Sequence, residues 1–190
     1  PGLAIDTERY FVVAPNMLGG CQGSTGPASI APDGQEWGAR FPYLTIRDQV
    51  AAQALLADAL GVEQWAAVIG GSMGGMHALE WAIGHAERTA RVAVLAAPPF
   101  TTADQIAQNA AQIETIRMDP AFADGAYYDA NDGEGPHRGL ALARRLATIE
   151  VWHQVRRMGI AVCPGQGRPV AYFTFRPQSD GSVVEDTPVR

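Results

Sequence analysis

The sequence predicts an α/β fold built on a parallel sheet, and three observations carry that expectation. Apolar strand-like runs and stretches of helical periodicity follow one another as strand, helix, strand, helix, strand. Residues 65–69 (WAAVI) are uninterruptedly apolar, as in a strand buried on both faces of a parallel sheet. A glycine-rich turn from Gly70 to Gly75 joins that run directly to a helical pattern.

The elements follow in order. Residues 9–15 (RYFVVAP) are apolar and β-branched between polar flanks, which predicts a buried strand. Residues 16–42 are rich in turn formers, with Gly19-Gly20, Gly23 to Pro27 and Pro32-Asp33-Gly34, and predict a long ordered loop. Thr45 is a capping residue, and Ile46, Val50, Ala54, Leu55, Ala57 and Leu60 recur at helical spacing until Gly61, which predicts a helix over about 46–60. After the strand at 65–69 and the glycine turn come a helix at 76–86 and an apolar strand at 92–96.

Beyond Pro98-Pro99 the character changes. Residues 102–118 predict a polar helix with Ile106, Ile113 and Ile116 on one side, and 138–148 predict a second amphipathic helix. Two helices without a strand between them read as an insertion over the sheet edge, a lid or a dimerisation arm. The expected organisation is therefore an α/β core over 1–98, a helical lid or dimerisation segment over 99–149, and an atypical tail over 150–190. The tail has Arg156-Arg157, scattered Pro and Gly and no clear periodicity, and reads as frameshifted or disordered.

A length of 190 residues suits one domain with a sizeable core, although the text opens on Pro1 and reads as a piece of something longer. The net charge of −6 argues against a nucleic-acid surface, which needs a basic stripe. All 14 basic residues are Arg. Cys21 and Cys163 stand far apart without neighbouring Cys or spaced His, so neither a metal site nor a disulfide framework is expected, and a reduced cytoplasmic setting is the default. No apolar run reaches the roughly 18 residues of a membrane span.

Gly70-Gly71-Ser72-Met73-Gly74 matches G-x-S-x-G after a strand and before a helix, the context of a nucleophile elbow. Such a turn holds the serine in strained backbone geometry and needs small residues two before and two after, a need that Gly70 and Gly74 meet and Gly75 extends. The helix N-terminus then faces the hydroxyl, and the Met73 N–H becomes an oxyanion donor. Two other readings fit the same text: a helix-capping serine and a phosphate-binding loop. The second lacks its lysine, since the chain has none. Of the four histidines, His77 and His85 lie on the helix leaving the elbow, His137 in a loop and His153 in the tail, and none stands in the setting of a catalytic base.

The residues resemble the homoserine O-acetyltransferases, an α/β-hydrolase-fold family of methionine biosynthesis. The resemblance runs from Pro1 to about Ile149. It is carried by Ala4-Ile5-Asp6-Thr7, the loop from Asn16 to Pro27 (NMLGGCQGSTGP), Phe41-Pro42, Thr45-Ile46-Arg47-Asp48, the elbow from Gly70 to Gly75, and Ala78-Leu79-Glu80-Trp81. It implies a partial parallel sheet with a helical lid, and transfer of an acetyl group from acetyl-CoA to L-homoserine through an acetyl-serine on Ser72. It implies no bound cofactor, acetyl-CoA being a substrate, and a cytoplasmic homodimer formed through the lid.

The match of Ala143-Arg144-Arg145 to the family's Ala-Arg-Arg implies that Arg144 holds the substrate carboxylate, against a plain reading of two exposed helix arginines. The second oxyanion donor is implied upstream of Pro1. The triad Asp and His are implied beyond Ile149, absent from this chain. Where the family continues with a threonine-tyrosine pair, this chain has Glu150-Val151-Trp152.

Overall fold

The computed structural model describes residues 5–20, 22–128, 134–155, 158–164, 171–177 and 183–186, from 149 onward by backbone alone. Ala4 and Cys21 lie outside the described residues. The chain divides into two compact units, Pro1–Leu44 and Thr45–Arg190. The boundaries expected at 98 and 149 both fall inside the second.

The first unit is held by its own loop chemistry. Gly19 N–H donates to the Thr25 carbonyl at 2.8 Å, Ser24 Oγ donates to the Asn16 carbonyl at 2.7 Å, and Asn16 Nδ2 donates to the Gln22 carbonyl at 2.7 Å. Residues Ile30 and Glu36 form an antiparallel bridge around the turn at Gly34 (φ +82°), and Arg40 forks onto the Asp33 carboxylate. That guanidinium holds the Asp33 carboxyl down at about 2. The expected strand at 9–15 is not formed: among the described residues no ladder reaches it, and Phe11 is 69% exposed. An apolar β-branched run becomes a strand only where a neighbour accepts its backbone hydrogen bonds.

The second unit opens with α1 (Ile46–Ala59), whose start is set by a capping box. The Thr45 hydroxyl accepts from Asp48 N–H at 3.2 Å, and the Asp48 carboxylate accepts from Thr45 N–H at 2.8 Å. The Thr45 N–H and hydroxyl, which both donate to that carboxylate, hold the Asp48 pKa below its ordinary value. Gly61 at φ +69° ends the helix.

Strand β1 (Val68–Gly71) follows, then α2 (Met73–Gly84) and β2 (Arg91–Leu95), which pairs with β1 in parallel, Val68 opposite Val92 and Gly71 opposite Leu95. Pairing begins later than the apolar run suggests, because Trp65 makes only an isolated bridge to Thr89. Helix α2 packs one face of the pair through Ala78 against Val92 and Val94. The other face is open among the described residues, leaving Ile69 52% exposed where burial on both faces was expected. Behind α2, Val50, Ala54 and Ala57 of α1 enclose Trp81, the two alanines leaving room for the indole.

Helices α3 (Ala103–Arg117) and α4 (His137–Val155) form a hairpin. Thr102 and Gln105 make a second capping box. Gly139 lies so close to the Thr115 carbonyl that a Cβ there would stand 2.7 Å from it, and its N–H donates to Asp119 at 2.8 Å. Ala143 continues the buried side of α4, whereas Ile106 and Ile113 of α3 face solvent.

The tail departs most from expectation. Strands β3 (Met158–Pro164), β4 (Ala171–Pro177) and β5 (Val183–Asp186) add an antiparallel meander to β2, so the five-stranded sheet is mixed, in order β1-β2-β3-β4-β5. Residues 158–164, 171–177 and 183–186, where the sequence shows no clear periodicity, are strands. Each run is short, and what makes it a strand is pairing with its neighbour, which local periodicity does not display.

Replacing Thr45 by Ala removes one half of the capping box and is expected to destabilise the chain by about 1 kcal/mol. Arg47→Ala breaks an ion pair to Glu80 in which Arg47 is 81% exposed, and is expected to cost less than about 0.5 kcal/mol. Urea unfolding of both variants measures the difference.

Candidate active site

The elbow is built from β1, α2 and the end of β2. Ser72 sits between strand and helix at φ +54°, ψ −124°, a region that residues with a Cβ rarely occupy. Two backbone bonds hold it there: its N–H donates to the Leu95 carbonyl at 2.9 Å, and its carbonyl accepts from Gly75 N–H at 2.9 Å. The first exists because the parallel register sets Leu95 opposite Gly71. Ala96, just beyond β2, is also at positive φ (+49°), so both strands end in constrained turns at the carboxyl edge of the pair. Ligands of α/β sheets bind outside such edges.

The capping reading of Ser72 does not hold, since the hydroxyl makes no bond to the helix it precedes. It is exposed and has no hydrogen bond among the described residues. Met73, 41% exposed, opens α2, so its N–H lies in the first turn, where no intrahelical acceptor exists. Nucleophile and oxyanion donor are thus adjacent at a helix N-terminus, where partial positive charge favours a developing anion.

The glycines divide the work differently from the motif. A Cβ on Gly70 would fall on the Gly74 carbonyl, and one on Gly75 would stand 2.5 Å from the Ala97 Cβ. At Gly74 a Cβ meets nothing within 4 Å. The close approach of strand and helix therefore needs Gly70 and Gly75, while Gly74 contributes its carbonyl and not a missing side chain. The paired glycine after the elbow was the signal for Gly75.

Arg144 is exposed on α4, beside the buried Ala143. Its carbonyl accepts from Thr148 Oγ at 2.8 Å, and no bond joins its side chain to the elbow among the described residues. Ser72 and Met73 are brought together; Arg144 is not brought to them.

Among the described residues no imidazole bonds the Ser72 hydroxyl. His77 is 6% exposed, its Nδ1 lies 3.0 Å from Gln53 Nε2, and burial lowers its pKa. His85 is the C-cap of α2, about 18 Å along the helix axis from Met73. His137 opens α4, and the side chain of His153 lies outside the described ones. Among the described residues there is no cluster of three or more His, Cys, Asp or Glu able to hold a metal, and no helix long and apolar enough to cross a membrane.

Comparison with known proteins places the geometry. A family model for the alpha/beta hydrolase fold matches residues 1–169. Homoserine O-acetyltransferase of Clavibacter michiganensis subsp. michiganensis is 72% identical over 149 residues, covering 78% of this chain and 38% of that protein. Homoserine O-succinyltransferase of Halorhodospira halophila is 53% identical over 150 residues, covering 78% and 39%. Among solved structures, esterase E22 matches with a TM-score of 0.71 at 32% identity, covering 82% of this chain and 45% of that one. Homoserine O-acetyltransferase from Bacillus anthracis matches with a TM-score of 0.58 at 30% identity, covering 70% and 36%. The chain thus spans well under half the length of these curated relatives.

Gly70→Ala is expected to destabilise the chain by about 3 kcal/mol, because backbone must move to admit the methyl group. Gly74→Ala is expected to stabilise it by about 0.5 kcal/mol through helix propensity. Equal losses in urea unfolding would contradict this division.

Proposed function

The chain belongs to the α/β-hydrolase fold family, and from that premise we propose that it is a stretch of a homoserine O-acetyltransferase, a cytoplasmic enzyme that acetylates L-homoserine from acetyl-CoA. The observation that carries the reading is the strained, exposed Ser72 with an unbound hydroxyl, one residue before a free helix-terminal N–H.

In the proposed reaction Ser72 Oγ loses its proton to a base outside the described residues and attacks the thioester carbonyl. Met73 N–H takes up charge on the oxyanion. Collapse breaks the C–S bond, the CoA thiolate leaves and is protonated, and acetyl-Ser72 remains. The homoserine hydroxyl, deprotonated by the same base, attacks the acetyl carbonyl and releases Ser72 with O-acetylhomoserine. Arg144, whose guanidinium carries no ion pair among the described residues, holds the homoserine carboxylate as a bidentate partner. The exposed Ile106, Ile113, Leu140 and Leu142 of the α3–α4 hairpin form the surface of a homodimer.

A second reading is favoured by the exposure of Ser72 and the likeness to an esterase: water replaces homoserine, and the chain belongs to an acyl-ester hydrolase. Likeness to a succinyltransferase leaves the donor as a third variable.

Identity of 72% over 149 residues permits a direct test, grafting residues 1–149 in place of the matching stretch of the Clavibacter relative. The chimaera is expected to transfer acetyl from acetyl-CoA to homoserine. Ser72→Ala within it should lower turnover by about 10⁴-fold or more, and Arg144→Ala should raise KM for homoserine while sparing acetylation of Ser72. Acetate release at one rate with or without homoserine supports the hydrolase and sinks the transferase reading.

A further inference from the structure

Between α1 and α2 lies a polar chain that the proposed reaction does not use: Gln53, His77 and Trp81. Trp81 Nε1 donates to Gln53 Oε1 at 2.8 Å, and Gln53 Nε2 lies 3.0 Å from His77 Nδ1. The indole N–H only donates, so it fixes which end of the Gln53 amide faces it. The amide nitrogen must then face His77 and donate, which leaves Nδ1 without a proton and puts the imidazole proton on Nε2. That Nε2 is buried with no partner among the described residues.

We propose that Gln53, His77 and Trp81 form a proton-sensitive latch between α1 and α2, closed while His77 is neutral and opened when it gains a proton. The reason is the polarity of the chain. A proton on Nδ1 sets an N–H donor against the Gln53 amide donor. If Gln53 flips to offer Oε1 to the imidazolium, its NH₂ then faces the indole N–H, and the conflict moves to Trp81. No orientation of Gln53 satisfies both neighbours once His77 is charged. The second imidazole N–H, already without an acceptor, adds to the cost.

Among the described residues no neighbouring charge compensates. On α2, Glu80 is taken by Arg47 of α1 at 2.7 Å, and the His85 ring at the helix end meets Trp81 at a tilt of 50° with centroids 4.9 Å apart. Besides Arg47, α1 carries Asp48, bound into its capping box, and Asp58, paired with Arg88 at 2.7 Å. The polar Gln49 of α1 is uncharged, β1 has no titratable residue, Arg91 of β2 is exposed, and Glu87 lies beside Arg88 in the turn after α2. Burial alone pushes the His77 pKa below its ordinary 6.5. The sign follows: between that value and the lower folded one, the unfolded chain binds the extra proton, so stability is full above 6.5 and is lost as pH falls.

The latch holds the helix whose first turn carries the elbow, so its state bears on how firmly that turn is seated. The test is a ¹H–¹⁵N titration of the full chain from about pH 8 to about pH 5, following the Trp81 indole and the His77 ring nitrogens. Expected are the Nε2–H tautomer at the upper end and a loss of Trp81 indole exchange protection of about tenfold as His77 charges, with Trp37 and Trp65 unmoved. His77→Gln should abolish the step. Gln53→Glu supplies a carboxylate that accepts from both neighbours, so His77 should titrate above 6.5 and indole protection should persist. If His77→Gln does not fold, the Gln53→Glu shift decides alone. An indole unchanged while His77 titrates, a step persisting in His77→Gln, or Trp37, Trp65 and Trp81 moving together would overturn the latch.

Discussion

The second unit is organised around one backbone constraint, the positive φ of Ser72. A residue with a Cβ in that region is strained by about 1–3 kcal/mol, and the surroundings must over-determine it. They do so from three directions. The β1–β2 register brings the Leu95 carbonyl to the Ser72 N–H, the first turn of α2 returns Gly75 N–H to the Ser72 carbonyl, and Gly70 lets the Gly74 carbonyl approach where any Cβ would block it. Each bond requires the other elements in place, so the strain is held by tertiary packing and not by the turn itself.

That packing is sufficient in magnitude. Trp81 sealed by Val50, Ala54 and Ala57, and Val92 and Val94 beneath Ala78, are nearly free of solvent. Each large apolar side chain so buried contributes about 1.5–3 kcal/mol before entropy, so the α2 seat outweighs one strained residue. What the strain accomplishes is geometric. It turns the Ser72 side chain away from the helix it would otherwise cap and leaves the hydroxyl uncommitted beside the Met73 N–H. A serine that capped α2 would be a poorer nucleophile, its lone pairs already engaged.

Much of this was legible from short-range chemistry. Thr45 with Asp48 and Thr102 with Gln105 mark helix starts whose interactions are made within three residues, and Gly61 supplies the left-handed stop, so α1 and α3 lie where the pattern puts them. The strand–turn–helix order around Ser72 was equally local. What escaped depends on distant partners. Residues 9–15 look like a strand but find no ladder among the described residues; β1 begins at Val68 because pairing with Val92 begins there; and the tail strands exist through mutual pairing. Helix α2 starts at Met73 and not 76 because first-turn residues need no intrahelical acceptor, which makes Gly74 and Gly75 tolerable there. Which glycine was sterically required could be decided only with Ala97 and Val94 in place, and the reach of Arg144 was implied by resemblance without a local signature.

Ser72 is held against its own backbone preference. Urea unfolding of Ser72→Gly beside Ser72→Ala tests it most directly, because glycine relieves a positive φ and alanine does not. The strained elbow predicts that Ser72→Gly is more stable than Ser72→Ala by about 1–2 kcal/mol. A glycine variant no more stable than the alanine one would contradict it.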